Sequence, residues 1–322
     1  MSIKKCYENE LRDTVQKIKK AGGNFVFAVV TDTHLDNSLP ETLKNIKEAD
    51  EELNFRFLAH LGDFLNGNIP KKYTEEIFAQ QMKSFINSVK SKEFYPTQGN
   101  HDGFCDLENC VNDMATDEVW YRATKFLSRY PNVHRKNIDP YYYADFPNEK
   151  IRLVFICAFN YEYSPEGVFK KIYGIKKEQI EWISNEALNV SNDWTVMFFS
   201  HYVPFGSFNS EGGVDDDVLE KSEEFQAVLK AKEKHGFSVP IWFAGDLHGD
   251  YANKICGINC VITASETAYV PQLWKMPALG YYPKRELNTV SEDLWEAVSL
   301  NTKKRTISLI RFGAGEDRIL TY

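Results

Sequence analysis

Short apolar runs alternate with amphipathic helical stretches along most of the chain, and this alternation constrains its fold more than any other feature. Six runs have the length and the β-branched or aromatic content of buried strands, at 25–30, 55–61, 94–97, 152–159, 194–200 and 239–244. Helical patterns precede or separate them, at 8–20, 41–53, 75–89, 117–129, 177–188 and 219–231. Strands that alternate with helices predict a layered α/β fold.

Some segments depart from this alternation. The β patterns at 141–146 and after residue 261 have no helix between them, which predicts mixed sheets toward the carboxyl end. Because no internal repeat, low-complexity tract or Pro/Ser-rich linker interrupts the chain, we expect residues 1–322 to form a single domain. We expect surface insertions in that domain at 103–125, 206–217 and 265–290.

The composition excludes several classes of protein. Of the 322 residues, 43% are hydrophobic and 26% are charged, which is typical of a globular protein. No apolar run approaches the roughly 20 residues that a membrane-spanning helix needs. The net charge is −8 and the Lys and Arg residues are dispersed, so we expect neither a membrane nor a nucleic acid as a partner. The oligomeric state is left open.

The sequence also predicts the compartment. The chain begins without the apolar core of a signal peptide, and its six cysteines include no C-x-x-C pair. We therefore expect reduced thiols and a cytoplasmic protein.

Polar side chains follow five of the predicted strands at the point where each strand ends. The segments are D-T-H at 32–34, G-D at 62–63, G-N-H-D at 99–102, S-H at 200–201 and G-D-L-H at 245–248. Because the carboxyl ends of strands in an open α/β sheet line one crevice, we expect these segments to converge. Carboxylate, amide and imidazole groups together suit Mn, Fe, Zn or Ni, and the adjacent glycines let the backbone approach such ions closely.

The histidines divide into two groups. Four of the seven lie in these segments, and we interpret them as functional: His34, His101, His201 and His248. The other three lie outside the pattern, and we interpret them as ordinary core or surface residues: His60, His134 and His235.

The five ordered motifs resemble those of the calcineurin-like metallophosphoesterase superfamily, whose pattern is D-x-H, G-D, G-N-H-[DE], an isolated His and G-H-x-H. The resemblance extends from about residue 26 to residue 250. It implies a four-layer αββα sandwich of two mixed β-sheets flanked by helices. It also implies two divalent metal ions that a carboxylate and a water or hydroxide bridge.

The resemblance implies a role for each motif residue by position. The metal ligands are Asp32, His34 and His248 for the first ion, Asp63 for both ions, and Asn100 and His201 for the second. His101 takes the place of the proton donor or transition-state stabiliser, and Asp102 would orient it.

The chain departs from the family pattern at one position. Asp246 stands where the pattern has a histidine of the second metal site. As a third carboxylate it would hold the ions more tightly and favour a hard ion such as Mn or Mg. The alternative is a weakened or empty second site.

These observations predict a metal-dependent phosphoesterase. The expected substrate is a small phosphomonoester or phosphodiester, hydrolysed with two divalent ions (Mn, Fe or Zn, with Mn favoured), because paired metals lower the pKa of a bridging water and hold phosphoryl oxygens. The departure at Asp246 leaves open an alternative function, a non-catalytic or weakly active metal-binding scaffold with an impaired second site.

Overall fold

The computed structural model describes residues 3–104, 114–167, 169–202, 222–267 and 281–322. Its strands are β1 (Phe25–Val30), β2 (Leu58–His60), β3 (Phe94–Pro96), β4 (Val133–His134), β5 (Tyr142–Phe146), β6 (Ile151–Ile156), β7 (Phe159–Tyr163), β8 (Phe169–Tyr173), β9 (Thr195–Ser200), β10 (Ile241–Ala244), β11 (Tyr251–Ile255), β12 (Ile258–Ile262), β13 (Leu294–Asn301), β14 (Thr306–Gly313) and β15 (Arg318–Thr321).

Helices cover much of the remaining described chain. The α-helices are α1 (Glu8–Ala21), α2 (Leu39–Leu53), α3 (Lys71–Asn87), α4 (Asp117–Ala123), α5 (Lys177–Trp182) and α6 (Glu223–His235). Short 3-10 turns lie at Lys5–Tyr7, Lys125–Arg129 and Val290–Glu292, and a π-helical turn at Ile183–Ala187. No described helix is both long and apolar enough to cross a membrane.

The helix ends follow local chemistry. Ser222 caps α6, where its hydroxyl accepts a hydrogen bond from the N–H of Phe225. The same helix ends at Gly236, whose left-handed φ of +77° stops the helical path without a steric penalty.

The strands form two large mixed sheets and a hairpin. The first sheet has the order β15-β14-β13-β1-β2-β3, and the second has the order β11-β12-β10-β9-β6-β5-β4. The first contains the parallel run β1–β2–β3 and the second the parallel run β12–β10–β9–β6, and antiparallel strands complete both. Among the described strands, β7 and β8 pair with each other and join neither sheet.

The two sheets pack face to face through aromatic side chains. Phe27 of β1 stacks on Phe57 with a ring-centroid distance of 4.6 Å. It also makes edge contacts with Phe199 of β9 and Phe243 of β10, whose ring centroids are 6.3 Å and 6.2 Å away. These residues belong to a buried cluster that both sheets share.

Helices cover the outer face of each sheet. Helices α1–α4 bury Ile18, Ile46, Phe78 and Trp120 against the first sheet. On the other side, Trp182 at the end of α5 and Phe225 of α6 pack in the cluster that contains Trp242 of the second sheet. The expected four-layer αββα sandwich is therefore confirmed.

One predicted strand is divided in the structure. The run at 152–159 forms β6, which ends at Ile156, and a new strand begins at Phe159. Between them, the backbone N–H and carbonyl of Cys157 pair with the side-chain amide of Gln179 at 2.9 Å and 2.7 Å. A side chain thus replaces the neighbouring strand as the hydrogen-bond partner, and the chain leaves the sheet.

The predicted insertions are described only in part. The segment 206–217 lies outside the described residues, as do parts of 103–125 and 265–290. In the described part of 103–125, Trp120 of α4 is fully buried. Residues 265–267 are likewise buried.

A buried charge network attaches the last strands to the second sheet. The Arg311 guanidinium of β14 donates to Asp250 Oδ1 at 2.7 Å and to Glu296 Oε1 at 2.9 Å. Arg318 of β15 also binds Glu296. Because an unpaired charge is costly in the interior, each of these residues depends on the others for its place.

We expect Phe27→Ala to lower the free energy of unfolding by about 3–5 kcal/mol, because it removes a ring from the packed interface between the sheets. Urea unfolding followed by circular dichroism measures the change. Tyr163→Ala is the matched control, since Tyr163 is 58% exposed and its loss should cost less than about 1 kcal/mol. Equal losses for both variants would contradict the predicted packing.

Candidate metal centre

Backbone strain is concentrated where the strands meet the motifs. Five of the seven predicted ligands have a left-handed backbone, with φ of +52° at Asp32, +43° at His34, +58° at Asp63, +68° at Asp246 and +58° at His248. For residues other than glycine, such conformations cost about 1–3 kcal/mol each and cluster at functional sites. They follow β1, β2 and β10, at one edge of the sandwich.

Hydrogen bonds between the loops hold this edge together. The N–H of Asp32 donates to the Gly62 carbonyl, and the N–H of His34 donates to the Asp63 carbonyl, both at 3.0 Å. The first and second motif loops are therefore paired by their backbones, although they lie far apart in the sequence.

Four side chains converge on one point. The ligand atoms of Asp32, His34, Asp63 and His248 all lie within 4.8 Å of one another. His248 Nε2 is 3.2 Å from Asp32 Oδ1, and His34 Nε2 is 3.6 Å from Asp63 Oδ2. All four residues come from the motifs identified in the sequence.

Backbone carbonyls select the tautomers of two histidines. His34 Nδ1 lies 3.1 Å from the Leu65 carbonyl oxygen, and His201 Nδ1 lies 2.7 Å from that of Leu61. Because a carbonyl oxygen only accepts, each Nδ1 carries a proton, and in the neutral ring Nε2 presents its lone pair. Both Nε2 atoms lie near the carboxylates of the cluster.

The donor set fits a cation. His34 Nε2 and His248 Nε2 are 3.1 Å apart, and two ring nitrogens at that distance share either a proton or a metal ion. Among the described residues, none makes a hydrogen bond to the buried Asp32 Oδ1. Imidazole nitrogens and a carboxylate oxygen that accepts no hydrogen bond are together typical ligands of transition metals.

A second set of side chains lies beside the first. His201 Nε2 is 3.0 Å from Asn100 Oδ1, 3.3 Å from Asp63 Oδ2 and 3.6 Å from Asp246 Oδ1. The Asp63 carboxylate lies between His201 and His34. This is the position that the family resemblance implies for a bridging ligand.

The side chains of the centre carry too little positive charge to balance its buried carboxylates. Burial raises the pKa of Asp246 to about 6, and the neighbouring Asp63 and Asp32 add to the effect while His201 opposes it. Burial also lowers the pKa of His34, which keeps its imidazole in the neutral form that binds metals. A bound cation would stabilise the ionised form of Asp246.

Glycines permit the close approach of the loops. A Cβ atom at Gly62, where φ is +104°, would lie 2.7 Å from the His201 ring. A Cβ at Gly99 would lie 2.1 Å from Asp63 Oδ1. Both distances are well inside van der Waals contact, so the motif positions require glycine.

His101 lies at the edge of the cluster. Its backbone N–H donates to Asp63 Oδ1 at 2.8 Å, and its ring centroid is 5.5 Å from that of His34. The side chain is partly exposed, in contrast to the fully buried His201. A group at this place reaches both the metal ligands and the solvent side of the centre.

Asp102 binds the backbone of two motif loops. Its Oδ1 accepts from the N–H groups of Phe64 and Leu65 at 2.7 Å and 3.2 Å, and its Oδ2 from those of Gly99 and Asp63 at 2.7 Å and 3.0 Å. This role was not predicted from the sequence, because nothing local distinguishes such an aspartate from one that orients His101. The orienting role stays a prediction.

The interpretation of His60 as a core residue is confirmed. The ring is fully buried and stacks on Phe64 at 3.6 Å, and burial lowers its pKa well below the usual range. Its Nδ1 accepts from the N–H of Gly62, and its Nε2 lies 3.1 Å from the Thr33 hydroxyl. Both ring nitrogens are therefore occupied by groups that are not metal ligands.

A comparison of sequences identifies the family. A sequence profile described as calcineurin-like phosphoesterase matches residues 25–250, which is more than half of the chain. The chain belongs to the calcineurin-like phosphoesterase family. All seven predicted ligands lie within the matched region. A search of curated proteins found no matching sequence.

Comparisons of structures agree on the fold of this chain. A dimetal phosphatase from Danio rerio superposes with a TM-score of 0.58 at 14% identity, covering 93% of this chain and 99% of that one. A structure of PhoD superposes with a TM-score of 0.52 at 13% identity, covering 92% of this chain and 68% of that one. At these identities the likeness establishes the fold alone.

We expect Asp102→Ala to lower the free energy of unfolding of metal-free protein by at least about 3 kcal/mol, because four buried N–H groups lose their acceptor. Urea unfolding in the presence of a chelator measures the loss. The control is Asp13→Ala, which removes a half-exposed partner of Lys17 and should cost less than about 1 kcal/mol. An unchanged stability for Asp102→Ala would show that the carboxylate does not hold the loops.

Proposed function

We propose that this protein is a metal-dependent hydrolase of a small phosphomonoester or phosphodiester, with two divalent ions held by the seven motif ligands. The convergence of Asp32, His34, Asp63 and His248 on one point is the observation that carries the proposal. Membership of the calcineurin-like phosphoesterase family supports it. Manganese is the favoured ion, because three carboxylates and an amide make the ligand set rich in oxygen.

The proposed residues have different roles in the reaction. Bound metal ions would acidify a water molecule and polarise the phosphoryl oxygens. The proposed ligands are Asp32, His34 and His248 for one ion, Asn100, His201 and Asp246 for the other, and Asp63 for both. His101, at the accessible edge of the centre, would donate a proton to the leaving oxygen.

The small substrate is also a proposal, and it follows from charge. The chain carries −8 overall and its Lys and Arg residues are dispersed in the sequence, a charge pattern that disfavours the clustered cations with which a long nucleic acid is bound. The cytoplasm is the proposed compartment. In the described part of the chain, Cys6 and Cys157 are free thiols, as expected of a reducing environment.

The decisive experiment measures metal and turnover on one sample. Protein purified without chelator is analysed for bound transition metals, then assayed with an aryl phosphodiester and an aryl phosphomonoester, with and without added Mn²⁺. We expect about two ions per chain and turnover of one ester class. Asp63→Ala should lose both metal and turnover, because its carboxylate lies between the two ligand sets.

The same experiment tests the second candidate function. Asp246, which stands where the family pattern has a histidine of the second metal site, favours a scaffold whose second site is impaired. At most one ion per chain and no turnover under any supplement would support the scaffold and overturn the hydrolase.

The proton-donor role of His101 has a separate test. We expect His101→Ala to reduce kcat by about 10²- to 10⁴-fold while the bound metal stays constant, because the residue acts on the leaving group and ligates no ion. The control is His134→Ala, whose side chain is about half exposed and stacks on Tyr143 in the second sheet. An aryl ester with a good leaving group should be affected least. Loss of metal in His101→Ala would contradict the role.

A further inference from the structure

A buried segment lies directly behind the turn that carries Asp32. In this backing segment (residues 263–267), the Ser265 hydroxyl donates to the Asp32 carbonyl at 2.9 Å, and the Glu266 N–H donates to the Thr31 carbonyl at 2.9 Å. Every residue of the segment is buried. The Asp32 turn, strained at a φ of +52°, is therefore held from behind by two hydrogen bonds.

The side chain of Glu266 anchors this segment to helix α2 and the residue before it. Its Oε1 lies 2.9 Å from the hydroxyl of Ser38 and 2.5 Å from that of Thr42. In the described residues, Oε2 is buried and has no hydrogen-bond partner. An ionised carboxylate in such a place would leave half of its charge without compensation.

The number of available protons points to a protonated carboxyl group. The single hydroxyl proton of Thr42 faces two carboxyl oxygens, Glu266 Oε1 at 2.5 Å and Asp293 Oδ1 at 2.8 Å. Two ionised carboxylates would leave one of these short contacts without a proton. Asp293 also accepts from the Asn45 amide at 2.6 Å, so it is the better supported anion. The extra proton therefore belongs on Glu266, which donates to Thr42.

The charged surroundings agree with this assignment. Burial raises the pKa of Glu266 to about 8, and the neighbouring Asp293 adds to the shift. Asp36 binds the same Ser38 hydroxyl as Glu266. The nearby cation is Arg285, whose hydrogen bonds go to the backbone carbonyls of Ser265, Glu266, Ser291 and Glu292. Around Asp293, Tyr7 and Glu292 add no positive charge.

We propose that Glu266 is a positioning residue of the metal centre, which in its protonated form fixes the backing segment and with it the Asp32 turn. The proposal rests on the proposed metal binding at that centre. A neutral carboxyl group at position 266 can form the Thr42 hydrogen bond without placing a third negative charge beside Asp36 and Asp293. Ionisation would expel the side chain and release the two hydrogen bonds that hold the Asp32 turn from behind.

The first test detects the proton directly. Difference infrared spectra of wild type and Glu266→Gln at neutral pH should contain the carbonyl stretch of one protonated carboxyl group in the wild type. The Tm of metal-free wild type should also fall, relative to Glu266→Gln, as the pH rises from about 5 to about 8. The folded protein keeps a proton there that the unfolded chain loses, so stability decreases with pH. Absence of either signal would overturn the protonated Glu266.

The second test measures the positioning role. We expect Mn²⁺ titrated into chelator-stripped Glu266→Gln to bind within about threefold of wild type, and Glu266→Ala to bind about tenfold or more weakly. Glu286→Gln, at an exposed glutamate, is the control and should match wild type. Equal Mn²⁺ affinity in Glu266→Ala and wild type would overturn the positioning role. Whether or not Glu266→Ala folds, a tenfold loss in Glu266→Gln would overturn the protonated form, because a neutral amide should replace a neutral carboxyl group.

The two proposals fail in different ways. If wild-type protein binds no Mn²⁺ while the carboxyl stretch is present, the proposed metal centre is wrong and the protonated Glu266 stands. If Mn²⁺ binds and the stretch is absent, the metal centre stands and the protonated Glu266 is wrong.

Discussion

The mutual repulsion of buried carboxylates is the constraint on which the rest of this structure depends. Asp32 and Asp63 are almost completely buried, and their ligand atoms lie within 4.8 Å. At that separation two negative charges repel by about 3 kcal/mol, taking an effective dielectric constant of about 20. His201 and His248 oppose this repulsion in part, and Asp32 Oδ1, to which no described residue donates a hydrogen bond, indicates that a cation completes the balance.

The backbone strain and the charge repulsion occur in the same two turns, those of Asp32 and Asp63. Asp32 and Asp63 combine a left-handed backbone with a buried charge, and each of these features is costly by itself. Backbone pairing between the first two motif loops and the Asp102 carboxylate supply the compensation. The centre is thus preorganised by its surroundings, because the residues around the ligands hold them in place.

The sequence alone predicts the layers, and its motifs contain the four residues whose ligand atoms converge; the signals for both are local. Strand β1 matches its predicted run, and Gly-Asn-His-Asp is recognisable within four residues. The roles of Leu61 and Leu65 were not predictable, because a backbone carbonyl that selects a tautomer has no side-chain signature. The role of Asp102 was not predictable either, because its carboxylate accepts from N–H groups of residues 63–65, which lie far from it in the sequence. Likewise, the Gln179 amide that ends β6 acts across 22 residues of sequence.

Residues beyond the family match complete the centre. The profile ends at residue 250, yet Ser265 binds the Asp32 carbonyl and Arg311 binds Asp250, which lies just after His248. The carboxyl-terminal part of the chain therefore holds the first predicted ligand, Asp32, and the residue Asp250 that follows the last, His248. Its contacts are long-range pairs between ordinary residue types, which explains why the sequence predicts the ligands and not their supports.

The aspartate at position 246 changes the charge balance of the proposed centre. With two divalent ions bound, Asp32, Asp63 and Asp246 would together cancel three of the four positive charges, whereas a histidine at position 246 would leave one more uncancelled. A less positive centre binds its ions more firmly and polarises a phosphoryl oxygen less. Firmer retention of weakly held ions such as Mn²⁺ and lower Lewis acidity would therefore both follow from this aspartate, whose pKa is raised by burial and would be lowered by a nearby cation.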